Sequence, residues 1–232
     1  MARMAGMLWL IGTAQFILVM AVVQSAYGCS NYGGCYNAIS NPISNLGSAG
    51  IANGNPPYYT YNGQQVPWPT SPLWFVFNYS IVLFGTLIIA GLFMLGYSFS
   101  DGMAKSLWML VLCIAALGVI GVGVFPEDAN ISIHSISALV AFTGAGVSML
   151  LAAAAMCKDK RWGFGWIFYT SISGIISIVS LLVLSFPSFL MLPQWPLWGD
   201  SLGLGGMERL IVAPVLLWLI LVSVRLVRGA KA

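Results

Sequence analysis

The chain has 232 residues, of which 59% are hydrophobic and only 6% charged, with a formal net charge of +3. A soluble domain carries roughly a quarter charged residues, so this composition cannot cover a water-facing surface and points to lipid as the solvent for most of the chain. The positive charge is small and, as shown below, sorted by side of the membrane; it does not suggest nucleic acid as a partner, which needs a clustered basic face.

In chain order, residues 5–27 form a first apolar run that reads as a membrane-spanning helix. The run is long for the apolar part of a signal peptide. Tyr27 is also bulky where a lipoprotein signal ahead of Cys29 needs a small residue. Gln15 lies in mid-span and is expected to face other helices, because an unpaired amide in lipid is costly.

Residues 28–71 change character: they are rich in Gly, Asn, Pro, Ser and Tyr and contain no charged residue. Turn signals repeat at Gly33-Gly34, Asn41-Pro42, Asn53-Gly54, Pro56-Pro57 and Asn62-Gly63. The aromatics Tyr58, Tyr59, Tyr61, Trp68 and Trp74 argue for order, so this long outer loop is expected to fold as a cap with a short helix or hairpin. Its lack of charge suits an acidic exterior or a loop buried against a partner. Cys29 and Cys35 are expected to form a disulfide on the oxidising side, while Cys113 and Cys157 are expected to be free thiols. No CxxC pair offers zinc-ribbon spacing.

Five further helices follow, at about residues 73–98, 106–124, 132–156, 164–186 and 207–227. The third ends in a glycine ladder, Gly118, Gly121 and Gly123, which permits close approach of another helix. The fourth carries His134, Ser137, Ala138, Ala141 and Ala145 on one face. A face of such small residues must meet another helix, so His134 is expected to point into the bundle. The fifth carries a small, hydroxylated stripe at Thr170, Ser173, Gly174 and Ser177. Residues 187–206, with Trp195 and Trp198, read as an outer re-entrant or interfacial segment.

The predicted fold is therefore all-α: a single membrane domain over residues 1–232, a six-transmembrane-helix bundle with a long structured outer loop between helices 1 and 2. An even helix number puts both termini on one side. That side holds Arg3, Lys105, Lys158, Lys160, Arg161, Arg225, Arg228 and Lys231, and the other holds only Arg209. The positive-inside rule then places both termini in the cytoplasm of a plasma-membrane protein.

Three short motifs carry a resemblance. GVFPED followed by His134 leads into helix 4, Asn41-Pro42-Ile43-Ser44-Asn45-Leu46-Gly47 stands in the first outer loop, and Gly206-Met207-Glu208-Arg209 opens helix 6. Together they resemble the DUF998 family of prokaryotic integral membrane proteins over most of the chain. The first outer loop here is longer and less charged than that family's. The resemblance implies a fold and a candidate site, not a reaction.

The candidate site gathers Glu127, Asp128, His134, Glu208 and Arg209 near one membrane boundary, with Ser44 and Asn45 folded over them. Ionisable groups at such positions are expensive unless paired, and often functional. The structural alternative is that the acidic groups serve helix N-termini, that Arg209 pairs with one of them, and that His134 bonds a loop carbonyl. One histidine is too few for a usual catalytic zinc site or for bis-histidine haem, so no metal and no cofactor is expected. No serine sits in a GxSxG turn. The expected function is non-enzymatic, a scaffold or accessory subunit of a larger membrane complex that holds a lipid or small ligand at the outer cluster. Its partners would be membrane lipid and either other membrane subunits or a second copy of the chain. The alternatives are an enzyme acting on a lipid headgroup or ester, with His134 as base and Glu127 or Glu208 orienting it, and a small-solute carrier.

Overall fold

A computed structural model describes residues 1–27, 36–50, 70–95, 102–185 and 203–229, together with the backbone of 29–30, 34–35, 58–61 and 64–67. Six helices account for most of it: α1 (Ala2–Ala26), α2 (Trp74–Leu95), α3 (Met103–Val124), α4 (Ile131–Met156), α5 (Phe164–Ser185) and α6 (Gly203–Arg228). Each is long and apolar enough to cross a membrane, which makes this a multi-pass membrane protein. Helices α1 to α6 pack on one another in sequence order, and α6 closes on α1, so the bundle is a ring. The perimeter is apolar, with Leu18, Phe93, Ile136, Phe168 and Leu217 all exposed. Where water is the solvent this would be a liability; against hydrocarbon it is the expected surface.

Small residues set the helix spacing. An ideal Cβ built on Gly118 would lie 2.7 Å from Ala141 N and 2.8 Å from Ser137 O, so α3 and α4 touch backbone to backbone there. The glycine ladder of α3 and the small face of α4 are thus the two halves of one contact. Gly123 serves a different neighbour, meeting Asn78 O and Val82 of α2. Without a hydrophobic force between helices in lipid, such close van der Waals approach is what holds them.

Polar groups inside the ring are paired across helices. Gln15 Nε2 donates to Ser80 O at 3.0 Å, and Ser80 Oγ returns a bond to Gln15 Oε1 at 2.9 Å, joining α1 to α2. The α5 stripe is buried: Ser177 Oγ donates to Ile211 O, and Trp218 Nε1 donates to Thr170 Oγ1, both at 2.9 Å. At the other end of the bundle from the α3–α4 turn, the Arg225 guanidinium lies over Trp162 and Trp166, 4.9 and 5.2 Å from the ring centroids.

Between α1 and α2, two small antiparallel hairpins are present, β1 (Cys29–Ser30) with β2 (Gly34–Cys35) and β3 (Tyr58–Tyr61) with β4 (Gln64–Pro67). Cys29 and Cys35 stand opposite each other in the first; their side chains, and hence the expected disulfide, lie outside the described residues. Cys113 and Cys157 are free thiols. A 3-10 helix, Ile43–Gly47, sits between the hairpins and packs on α1, α2 and α6. Ile43 and Leu46 are buried in the core cluster.

The clearest departure from expectation is the start of α6. It begins at Gly203, four residues before the expected Met207, so residues 203–206 are helix rather than the end of an interfacial loop. The cause is the segment Ala38–Asn41, which lies across this first turn: Gly206 N donates to Ile39 O at 2.8 Å. A Cβ on Gly205 would fall on Asn41 O. The glycines that read as loop punctuation are there to let a second backbone approach. Residues 186–202, including Trp195 and Trp198, lie outside the described residues.

Candidate functional site

Residues 42–50 run over one end of the ring as a strap, and side chains from distant helices fasten it. Glu208 Oε2 on α6 accepts from Ile43 N at 2.6 Å, and the Ser44 N–H also reaches this carboxylate. Glu127 Oε2, in the α3–α4 turn, accepts from Ser44 Oγ at 2.8 Å. Its neighbour Asp128 accepts from Ala49 N through Oδ2 at 2.9 Å. On the α2 side, Asn78 Nδ2 donates to Gly47 O at 2.9 Å. Three carboxylates thus satisfy strap groups: those of Ile43 and Ser44 at the open start of the 3-10 helix, and the Ala49 N–H beyond its end. Asn45 is buried within the 3-10 turn, where its carbonyl accepts from Ser48 N.

Among the described residues Arg209 pairs with no carboxylate. Its guanidinium donates to Ala38 O at 2.6 Å, Asn41 O at 3.2 Å and Gly205 O at 3.0 Å, and to Tyr36 Oη at 2.8 Å. A planar fork with five donors suits this convergence of carbonyls. Burial pushes the Tyr36 phenol above its ordinary value, against the opposing pull of Arg209.

His134, on the first turn of α4, lies 2.9 Å through Nδ1 from Phe125 O at the end of α3. A carbonyl only accepts, so Nδ1 carries the proton here. The ring closes the α3–α4 turn, and Asn130 caps the same helix by accepting from Ile133 N at 3.1 Å. His134 is 7% exposed and turned into the bundle, as the small face of α4 required. Because α6 begins at Gly203, Glu208 sits beyond its first turn, so the helix-dipole role considered for it falls away. The strap N–H groups take its place.

Outside the spans, Glu127 is strongly perturbed. Burial pushes its carboxyl up to about 8; the Ser44 hydroxyl works against this, and the nearby Glu208 and Asp128 add to it. Near neutral pH most of it is protonated.

Beneath the strap is a cavity of about 100 Å³. Its walls are apolar, with Phe16 of α1, Phe77 and Phe84 of α2 and Phe142 of α4, while Ser44, Glu208 and His134 contribute its polar groups. The site residues expected from the sequence, Asn45 apart, therefore fall into two sets. Ser44, His134 and Glu208 line the cavity. Glu127, Asp128 and Arg209 fasten the chain that covers it. Tyr36 and Asn78 were missed; Asn78, an amide one turn into an apolar helix, was the legible signal. Among the described residues no group of three or more His, Cys, Asp and Glu could hold a metal ion.

No curated protein and no solved structure matches the chain. One family does: a family described only as a protein of unknown function, matching residues 10–225, nearly the whole length and all three motifs. The chain belongs to the DUF998 family.

Proposed function

We propose that the protein is a non-enzymatic plasma-membrane component, a scaffold or accessory subunit, that holds the end of a lipid's apolar chain or a similarly small ligand under the strap. The observation that carries this reading is the cavity: four phenylalanines around an apolar space, with Ser44, Glu208 and His134 providing polar groups for a ligand's head. Binding sites combine apolar walls with a few placed polar groups in this way. The basic residues Lys105, Lys158, Lys160, Arg161, Arg225 and Arg228 support a cytoplasmic assignment for the opposite end of the bundle. The strap and the uncharged loop then form the outer cap.

The test is to extract the detergent-purified protein with organic solvent and quantify bound lipid by mass spectrometry. One lipid per chain is expected, with at least half of it lost in Ala138→Phe, whose ring would occupy the cavity. An unliganded wild type, or equal lipid in both proteins, would reject the reading. An enzyme with His134 as base is the second reading, favoured by Ser44 and His134 lining one cavity. It is weakened by the Ser44 hydroxyl being directed to Glu127, because an activated nucleophile is held by its base.

A further inference from the structure

A second concavity lies outside the ring, on the opposite side of the α2–α3 contact from the cavity. It is a groove of about 490 Å³ at the strap end, bounded by Trp74, Phe75 and Tyr79 of α2, Val124 of α3, and Pro126 and Asp128 of the turn. The helices meet at Gly123, where a Cβ would strike Asn78 O, and Gly123 also lines the groove.

The chemistry of its walls is specific. Three aromatic side chains stand in one stretch of helix and are all exposed, Tyr79 at 75%. Trp74 and Phe75 meet edge to face, 6.0 Å between centroids at 82°. One acidic residue, Asp128, lines the same groove; it is 1% exposed, so its carboxylate acts through its field rather than by contact. Among the described residues no Lys or Arg lines the groove, residues 28–71 carry no charge, and Arg209 at this end is engaged by Tyr36 and three carbonyls. Aromatic faces over an acidic base attract a diffuse cation.

We propose that this groove binds the quaternary ammonium headgroup of a membrane lipid. A lipid is the source, rather than a free cation, because the groove's walls continue onto the apolar perimeter: Val82 of α2 and Val124 of α3 border it, and Leu117, two turns from Val124, is exposed on the same helix. The headgroup lies among Trp74, Phe75 and Tyr79 while the acyl chain follows the α2–α3 seam. Aromatic side chains at the boundary of a span commonly anchor it in the interface; here the three border one groove whose base includes the buried Asp128.

Native mass spectrometry of the detergent-solubilised protein with equimolar phosphatidylcholine and phosphatidylglycerol of matched chains tests the assignment. Phosphatidylcholine adducts should exceed phosphatidylglycerol adducts by about tenfold. The doubly substituted Phe75→Leu, Tyr79→Leu protein should bind the two about equally, whereas Tyr79→Phe should keep the preference. Both positions are exposed, and an unchanged melting temperature verifies that the variants are folded. Equal binding by the wild type, or a preference that survives the double substitution, overturns the proposal. Displacement by tetramethylammonium at the lipid's own concentration would show that the free cation suffices and would overturn the lipid assignment. The groove and the cavity under the strap are separate, so Ala138→Phe should leave this preference intact.

Discussion

The Ser44 hydroxyl donates to Glu127 Oε2 across 2.8 Å, joining residues 83 positions apart in the sequence. One bond thereby ties a residue of the first connection to the turn at the middle of the chain. The protonation of Glu127 bears on it directly.

The Glu127 carboxyl titrates near 8 in the fold, against an ordinary 4.5. A folded pKa above the unfolded one means that its stabilising contribution is complete below about pH 4.5 and is lost as pH rises through about 8. The melting temperature in detergent should therefore fall between pH 5 and pH 8.5. Glu127→Gln, which keeps the shape and stays neutral, should flatten that slope. A wild-type slope retained in the variant would assign the pH dependence elsewhere.

His134→Ala should lower stability by about 1–3 kcal/mol, the cost of removing a partner from a buried polar contact, because Phe125 O loses its donor. His134→Gln, whose amide can donate to the same carbonyl, should recover part of the loss. If the ring also holds a ligand, the Gln variant should regain stability while its bound lipid falls. Thermal melts and lipid extraction on the two proteins separate a brace from a brace that is also a binding group.

Gly118→Ala should be costly and Gly165→Ala should not. The first would place a methyl against the backbone of α4, whereas nothing lies within 4 Å of the second. Overpacking of this kind costs about 1–3 kcal/mol. In α5 the exchange should be neutral or stabilising by up to about 1 kcal/mol from helix propensity. Equal effects at both positions would contradict the close α3–α4 approach.

The sidedness is expected to follow the basic residues. In a Cys157→Ser background, a thiol placed at Asn62 should react with an impermeant maleimide in intact cells, and one placed at Lys160 only after permeabilisation. Labelling at Lys160 in intact cells would reverse the orientation. Peptide mapping without reductant should also recover Cys29 linked to Cys35, which stand opposite each other in the first hairpin.

The six helices were legible because length, apolarity and the turns between them are local properties of the chain. The glycine ladder of α3 and the small face of α4 were legible separately, and only their spatial pairing at Gly118 and Ala141 needed the fold. That Ser44 folds over the acidic cluster was legible, and it bonds Glu127 there; the strap's backbone contacts were not, because a carboxylate that accepts from a backbone N–H, as Glu208 does from Ile43, leaves no mark on the identity of its donor. Arg209 was expected among the acids and instead gathers backbone carbonyls, which every residue carries. The early start of α6 was hidden for a related reason: Gly203, Gly205 and Gly206 carry the composition of a loop, and what makes them helical is the neighbouring segment Ala38–Asn41.

The bond between Ile43 N and Glu208 spans 165 positions, and it orders events during synthesis. A chain emerging from the ribosome presents the strap after its first helix and Glu208 only with its last. Until α6 arrives, Ile43 and Ser44 lack their acceptor and Leu46 lacks a complete core. Seating of the strap is therefore a structural receipt for a finished ring. A protein truncated before Gly203 should present Ile43 and Leu46 as an unclosed apolar surface, the kind of feature by which quality-control proteases recognise incomplete membrane proteins.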